Sequence, residues 1–217
     1  MNIEQARFNM IEQQIRPWDV LDTNILQLLA AVKREDFCPL AHKALAFVDM
    51  EIPLGHGACM LSPKVEARFL QDLAVHKHEK VLEIGTGSGY MAALLAHRAQ
   101  RVISLEIVPE LAQAARENLQ KAGISNCEVR MADGSKDLKA DGPFDVIVLS
   151  GSVAHVPAGL VSLLKPGGRL AAVVGNEPMM RATFVTQTAD STAVTRQPWD
   201  TVAPRLSGFG EDSKFSF

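Results

Sequence analysis

The stretch Val81-Leu82-Glu83-Ile84-Gly85-Thr86-Gly87-Ser88-Gly89-Tyr90 constrains this chain more than any other. A short apolar run closes on a glycine-dense turn, and a helical pattern opens at Met91-Ala92-Ala93-Leu94-Leu95-Ala96. Glycines let a chain turn sharply off a strand and bring bare backbone against a ligand. The next apolar run, Val102-Ile103-Ser104-Leu105, ends in Glu106, 21 residues after Gly85. That is the separation between a nucleotide-binding turn and the carboxylate that holds a ribose diol. The pattern predicts strand, turn, helix and strand around an adenosine-type cofactor.

The alternation continues. Strands are predicted over 80–84, 101–106, 127–131, 144–149 and 168–174, with helices over 88–98, 109–122 and 157–164. Such a rhythm predicts a parallel sheet with helices on both faces. The Thr- and Val-rich tail from Ala182 to Thr195 predicts an antiparallel hairpin. Upstream, residues 3–15 predict a helix that Arg16-Pro17-Trp18 breaks, and Asp22 or Thr23 caps a second. Residues 45–61 read as irregular. Ser62-Pro63 then opens a third helix, with a hydroxyl at the cap and proline at the first position. Two parts are expected: an N-terminal helical extension with a substrate-side loop over 1–62, and a compact cofactor-binding core over 63–217.

Composition removes several classes of function. A hydrophobic content of 47% supports a packed core, and a net charge of −3 gives no electrostatic footprint for nucleic acid. No apolar run approaches about 18 residues, so no membrane span is expected. The first residues lack the pattern of a signal peptide. Cys38, Cys59 and Cys127 are odd in number and far apart, without metal-ligand spacing or a disulfide framework. The expectation is a cytoplasmic protein without a metal, its oligomeric state left open.

Glu106, as a carboxylate, can accept two hydroxyl hydrogen bonds at once. Ala132-Asp133-Gly134 follows the strand that starts at Cys127. An acid there can accept from the exocyclic amine of adenine, or form an ordinary Asp-Gly turn. The glycines are spaced G-x-G-x-G, with Glu83 two residues before the first. This resembles motif I of the class I S-adenosylmethionine-dependent methyltransferases. Phe144 to Ser150 and Leu164 to Leu170 resemble the fourth strand and the turn before the fifth strand of that fold. The resemblance implies a Rossmann-like, seven-stranded, mostly parallel sheet with an antiparallel C-terminal hairpin. It also implies a cofactor set of Glu83, Gly85, Thr86, Gly87, Ser88, Gly89, Glu106, Ile107, Asp133, Gly134 and Ser150. Asp145 and the Pro-Gly-Gly segment read as architecture.

Within that superfamily the chain resembles the protein-L-isoaspartate (D-aspartate) O-methyltransferases. Val32-Lys33-Arg34-Glu35-Asp36-Phe37-Cys38-Pro39 looks like the family's V-x-R-E-x-F-V-P, and Ala46-Phe47-Val48-Asp49 like its A-Y-x-D. Ile52-Pro53-Leu54-Gly55-His56-Gly57 looks like its L-P-I-G-x-G. The family continues Q-T-I-S-Q-P, with the serine in the active site; here Ala58, Cys59, Met60, Leu61, Ser62 and Pro63 follow. Leu61 therefore stands in the serine's place, and Leu163 replaces a glutamine before the Pro-Gly-Gly turn. Ser62 is the candidate substitute hydroxyl, with helix capping as its other role. Gly55, His56, Gly57, Cys59 and Leu61 are expected along the substrate-side loop, Cys59 as a small packed residue and His56 as a loop residue. The resemblance implies carboxyl O-methylation of isoaspartyl residues in damaged proteins. Two alternatives stay open: the same scaffold serving another acceptor, and a non-catalytic binder of the cofactor. An NAD-dependent oxidoreductase is disfavoured by the glycine spacing and the hairpin tail.

Overall fold

The computed structural model describes residues 2–136, 138, 141–190 and 192–210. Helix α1 (Ile3–Met10) starts on Asn2, whose side chain accepts from the Gln5 amide. It widens into a π-turn at Ile11–Ile15 and ends in a 3-10 turn at Arg16–Trp18. The helix expected over 3–15 is thus regular only to Met10, and Pro17, which has no amide hydrogen, ends the helical ladder after the π-turn. Helix α2 (Thr23–Ala31) is capped by the Asp22 carboxylate on the Asn24 amide.

Residues 45–61, expected to be irregular, include the end of a 3-10 segment (Leu40–Phe47) and a small hairpin. Its strands are β1 (Ile52–Gly55) and β2 (Ala58–Met60), with Ile52 opposite Met60. Both of those side chains are buried, so the pairing is closed by the core beneath it. The tip is Gly55-His56-Gly57, with φ of 86°, 54° and 75°. Glycine tolerates such angles freely, whereas His56 bears them at a cost.

Helix α3 (Pro63–Leu73) follows, then β3 (Lys80–Ile84), α4 (Tyr90–Arg98), β4 (Arg101–Glu106), α5 (Pro109–Lys121) and β5 (Cys127–Met131). The chain continues through β6 (Phe144–Val153), α6 (Ala158–Val161), β7 (Leu164–Asn176), β8 (Met179–Gln187) and β9 (Ala193–Asp200). The main sheet has seven strands in the order β5-β4-β3-β6-β7-β8-β9. Pairs β3/β4, β4/β5, β3/β6 and β6/β7 are parallel; β7/β8 and β8/β9 are antiparallel. This is the Rossmann-like methyltransferase sheet with its antiparallel close. Some boundaries move: α4 starts at Tyr90, after positive-φ Gly87 and Gly89, and α6 is one short turn because Leu164 already pairs with Phe144.

Strand residues alternate between faces, so two apolar clusters form. One joins Val81, Val102 and Val146 to α3, α4 and α5, and also takes in Met10, Ile15, Ile25 and Leu29. The 1–62 segment therefore shares its core with the sheet. The other cluster holds Leu82, Ile147 and Leu170 with Leu160 of α6, and Leu206 and Phe209 pack against it.

Buried charges pin the N-terminal segment. Arg34 and Glu66 are 1% and 3% exposed and form an ion pair. Arg34 also donates to the Leu61 carbonyl at 2.7 Å and lies over the Tyr90 ring. Arg7 pairs with Glu35 nearby. At the far end of the sheet, Asp145 accepts from the Lys80 amide (2.8 Å) and from Lys165 Nζ (2.7 Å). Arg169 grips Glu79 at 2.6 and 2.9 Å and donates to the Ala74 carbonyl at 2.8 Å, closing the end of α3.

Candidate active site

Ligands of open α/β sheets lie at the carboxyl ends of the strands, where the strand order reverses. Here that point is β3, with β4 on one side and β6 on the other. A cleft opens there. Its floor is Ile84, Gly85 and Gly87 at the end of β3, Leu105 to Val108 at the end of β4, Ala132 and Gly134 after β5, and Ser150 of β6. Its walls are the hairpin tip, His56 to Cys59, and a strap near the chain end, Pro204 to Ser207.

The glycine turn is tied directly to β4. The Gly85 and Thr86 amides both donate to the Leu105 carbonyl, at 2.9 and 3.2 Å. Gly85 has φ of 91°, and a Cβ there would stand 2.7 Å from Leu206 Cδ2. Glu106 Oε2 accepts from the Gly87 amide at 2.8 Å, and its Oε1 from the Val108 amide at 3.1 Å. Each oxygen keeps a lone pair free, which is what a ribose diol requires.

Glu83 lies beneath the turn and is fully buried. Ser104 Oγ and Ser150 Oγ donate to its two oxygens at 2.6 and 2.8 Å, and Thr86 Oγ1 is 2.6 Å from Ser104 Oγ. Burial pushes the Glu83 carboxyl up to about 8, against the pull of the two serine hydroxyls. Glu83 therefore holds Ser150 and the turn in place and does not line the cleft. Thr86, Ser88 and Gly89 are likewise supports: Ser88 is buried, and its carbonyl accepts from Asn118. Gly85, Gly87, Glu106, Ile107, Gly134 and Ser150 are on the cleft surface.

Asp133 sits off the cleft wall. Its Oδ1 accepts from the Ser135 amide (3.0 Å) and hydroxyl (2.6 Å), which hold its carboxyl below the usual range. A Cβ on Gly208 would stand 2.8 Å from the same oxygen, so the strap reaches as far as Asp133.

The substrate-side loop divides. His56, Gly57 and Cys59 line the cleft, whereas Gly55 does not. Leu61 is 4% exposed and belongs to the core, because its backbone is drawn inward by Arg34. Ser62, the candidate substitute hydroxyl, stands at the N-cap of α3 and away from the cleft wall; its side chain makes no capping hydrogen bond. The Cys59 thiol donates to Glu51 at 3.6 Å, and burial together with that carboxylate pushes it up to about 12. Leu54 and the whole strap were missed from sequence. Leu54 Cδ1 would lie 3.1 Å from a Cβ on Gly87, and the strap carries no motif or period that points to a site.

The sheet order and the glycine turn facing Glu106 define a Rossmann-like methyltransferase. Solved structures agree on that fold. A protein-L-isoaspartate O-methyltransferase from Plasmodium falciparum, crystallised with S-adenosyl-L-homocysteine, aligns with a TM-score of 0.77 at 20% identity, covering 94% of this chain and 99% of its own. A second structure bearing the same enzyme name aligns with a TM-score of 0.77 at 24% identity, over 95% of this chain and 66% of its own.

The chain belongs to the protein-L-isoaspartate(D-aspartate) O-methyltransferase family, whose family model matches residues 5–202. A protein-L-isoaspartate O-methyltransferase of Methanoculleus marisnigri is 39% identical over 79% of this chain and 78% of its own. One from Aeropyrum pernix is 38% identical over 86% and 73%. Among the described residues no helix is long and apolar enough to cross a membrane. No cluster of three or more His, Cys, Asp or Glu side chains among them is placed to hold a metal.

Proposed function

We propose that this chain transfers a methyl group from S-adenosylmethionine to the α-carboxylate of L-isoaspartyl residues in damaged proteins, as a cytoplasmic repair enzyme. The observation that carries this reading is the family match over residues 5–202, which takes in the hairpin wall, the glycine turn and the Glu106 carboxylate. The cofactor suits the cleft chemically: Glu106 lines it and has free lone pairs for a ribose diol. Bound there, S-adenosylmethionine supplies a methyl group on a sulfonium leaving group. Glu106 would take the ribose hydroxyls, and the bare backbone at Gly85 and the oxygen of Ser150 would hold the methionine part.

A carboxylate is ionised at neutral pH and needs no general base to attack. The protein therefore has only to align nucleophile and methyl group and to exclude water. The hairpin tip and the strap are the surfaces between which a peptide reaches the cleft. The resulting ester closes by itself to a succinimide, which opens partly to normal aspartate. Cys59, held as a thiol by burial, serves as wall and not as nucleophile.

The test is incubation with labelled S-adenosylmethionine and a matched pair of peptides, one isoaspartyl and one aspartyl. Base-labile label on the isoaspartyl peptide alone is the expected result. Confirmed cofactor binding without transfer to either peptide would sink the repair reading.

A further inference from the structure

The strap lies beyond the residues that the family match covers, yet it forms one wall of the cleft. It is docked by backbone pairing: the Ser152 amide donates to the Pro204 carbonyl at 2.7 Å, and the Leu206 amide to the Ser152 carbonyl at 2.9 Å. Between them stands Arg205. It carries the one permanent positive charge among the described cleft-lining side chains, and Glu106, the one carboxylate there, is committed to the glycine turn and the ribose end.

The Arg205 guanidinium is anchored on one side only. Nη2 donates to the Gly175 carbonyl at 2.8 Å and to Asn176 Oδ1 at 2.7 Å. Nη1 is buried and has no hydrogen-bond partner, and Arg205 makes no ion pair with a carboxylate among the described residues. An enclosed guanidinium donor without a partner is costly, and a turn of the side chain away from Gly175 and Asn176 toward the cleft would let an anion complete it. Its planar fork fits a carboxylate better than any other small anion the reaction brings.

We propose that Arg205 binds the α-carboxylate of the methyl acceptor and so determines acceptor specificity. This rests on the isoaspartyl reading above. The cofactor's methionine carboxylate has the same chemistry, but in the reading above it would lie by Gly85 and Ser150, and the side chain packed against Gly85 is Leu206 rather than Arg205. The side chain acts by touching the acceptor. It holds the nucleophile and takes no proton, since an arginine stays charged at any working pH.

The experiment is a cycle of two enzymes and two peptides, read by calorimetry with S-adenosylhomocysteine present so that nothing turns over. One peptide is isoaspartyl; the other is identical except that its α-carboxylate is an α-carboxamide. Wild type should bind the carboxylate peptide about tenfold or more tightly than the carboxamide. Arg205→Gln should bring that ratio to within about twofold of unity, and Arg205→Lys should retain part of it. The affinity for S-adenosylhomocysteine and for the carboxamide peptide should not move, which separates lost recognition from a detached strap. Undiminished discrimination in Arg205→Gln overturns the proposal. So does a wild type that does not discriminate, or a loss that appears in cofactor affinity instead. Discrimination by wild type without methyl transfer would remove the repair reading and leave the role of Arg205 standing.

Discussion

Glu83 shows how far a motif residue's position can differ from the role its motif implies. It is the acid of the glycine motif, yet it is enclosed by Ser104 and Ser150 and does not line the cleft. Its carboxyl is raised by burial to about 8, well above its ordinary value. A carboxyl raised on folding gives stability that is fully present below the unfolded value and is lost as pH rises through the folded one. Replacing Glu83 with Gln should therefore flatten the fall in melting temperature between roughly pH 5 and pH 9. Thermal melts across that range check it, and parallel wild-type and variant curves would refute it. Glu106 has the opposite character, since its free lone pairs face the cleft. Glu106→Ala should weaken S-adenosylmethionine binding by about tenfold or more, from the loss of charge-assisted hydrogen bonds, as calorimetry would read. Cys59, pushed up to about 12, should react with a neutral disulfide reagent far more slowly than free cysteine at pH 7. A burst of modification at that position would contradict the geometry.

At the scale of elements, the glycine turn and the strand ends around it work as one close-packed cradle. A Cβ on Gly134 would meet Ile84 Cγ2 at 2.5 Å, and Ile84 lines the cleft. Gly134→Ala should push Ile84 into the cofactor space and weaken cofactor binding more than it lowers the melting temperature. Equal losses in both would mean that the strain is absorbed elsewhere. Strand and helix existence was legible from period and turn chemistry because each element buries a face that repeats locally. Hairpin β1/β2 was not legible, because its closure depends on Ile52 and Met60 meeting a core built from distant residues.

The whole molecule is held by charges that the sequence displays without revealing their partners. Arg34 and Glu35 belong to the segment that carried the family likeness, and the fold spends both on buried pairs, with Glu66 and Arg7. Arg34→Ala should cost about 3–5 kcal/mol of unfolding free energy, because it strands the Glu66 carboxylate in the core. The double change Arg34→Met with Glu66→Leu should cost clearly less, and denaturant titration of both variants decides the point. Alone, the sequence determined the parallel sheet, the glycine turn, and the pairing of Gly85 with a carboxylate at the right distance, because these follow from local period and from one short crossover. Only the tertiary structure decided which motif residues line the cleft, that Leu61 and Ser62 stay off its wall, and that Arg205 enters it. Those outcomes depend on contacts between residues far apart in the chain, and no local pattern encodes which of two faces a side chain will find there.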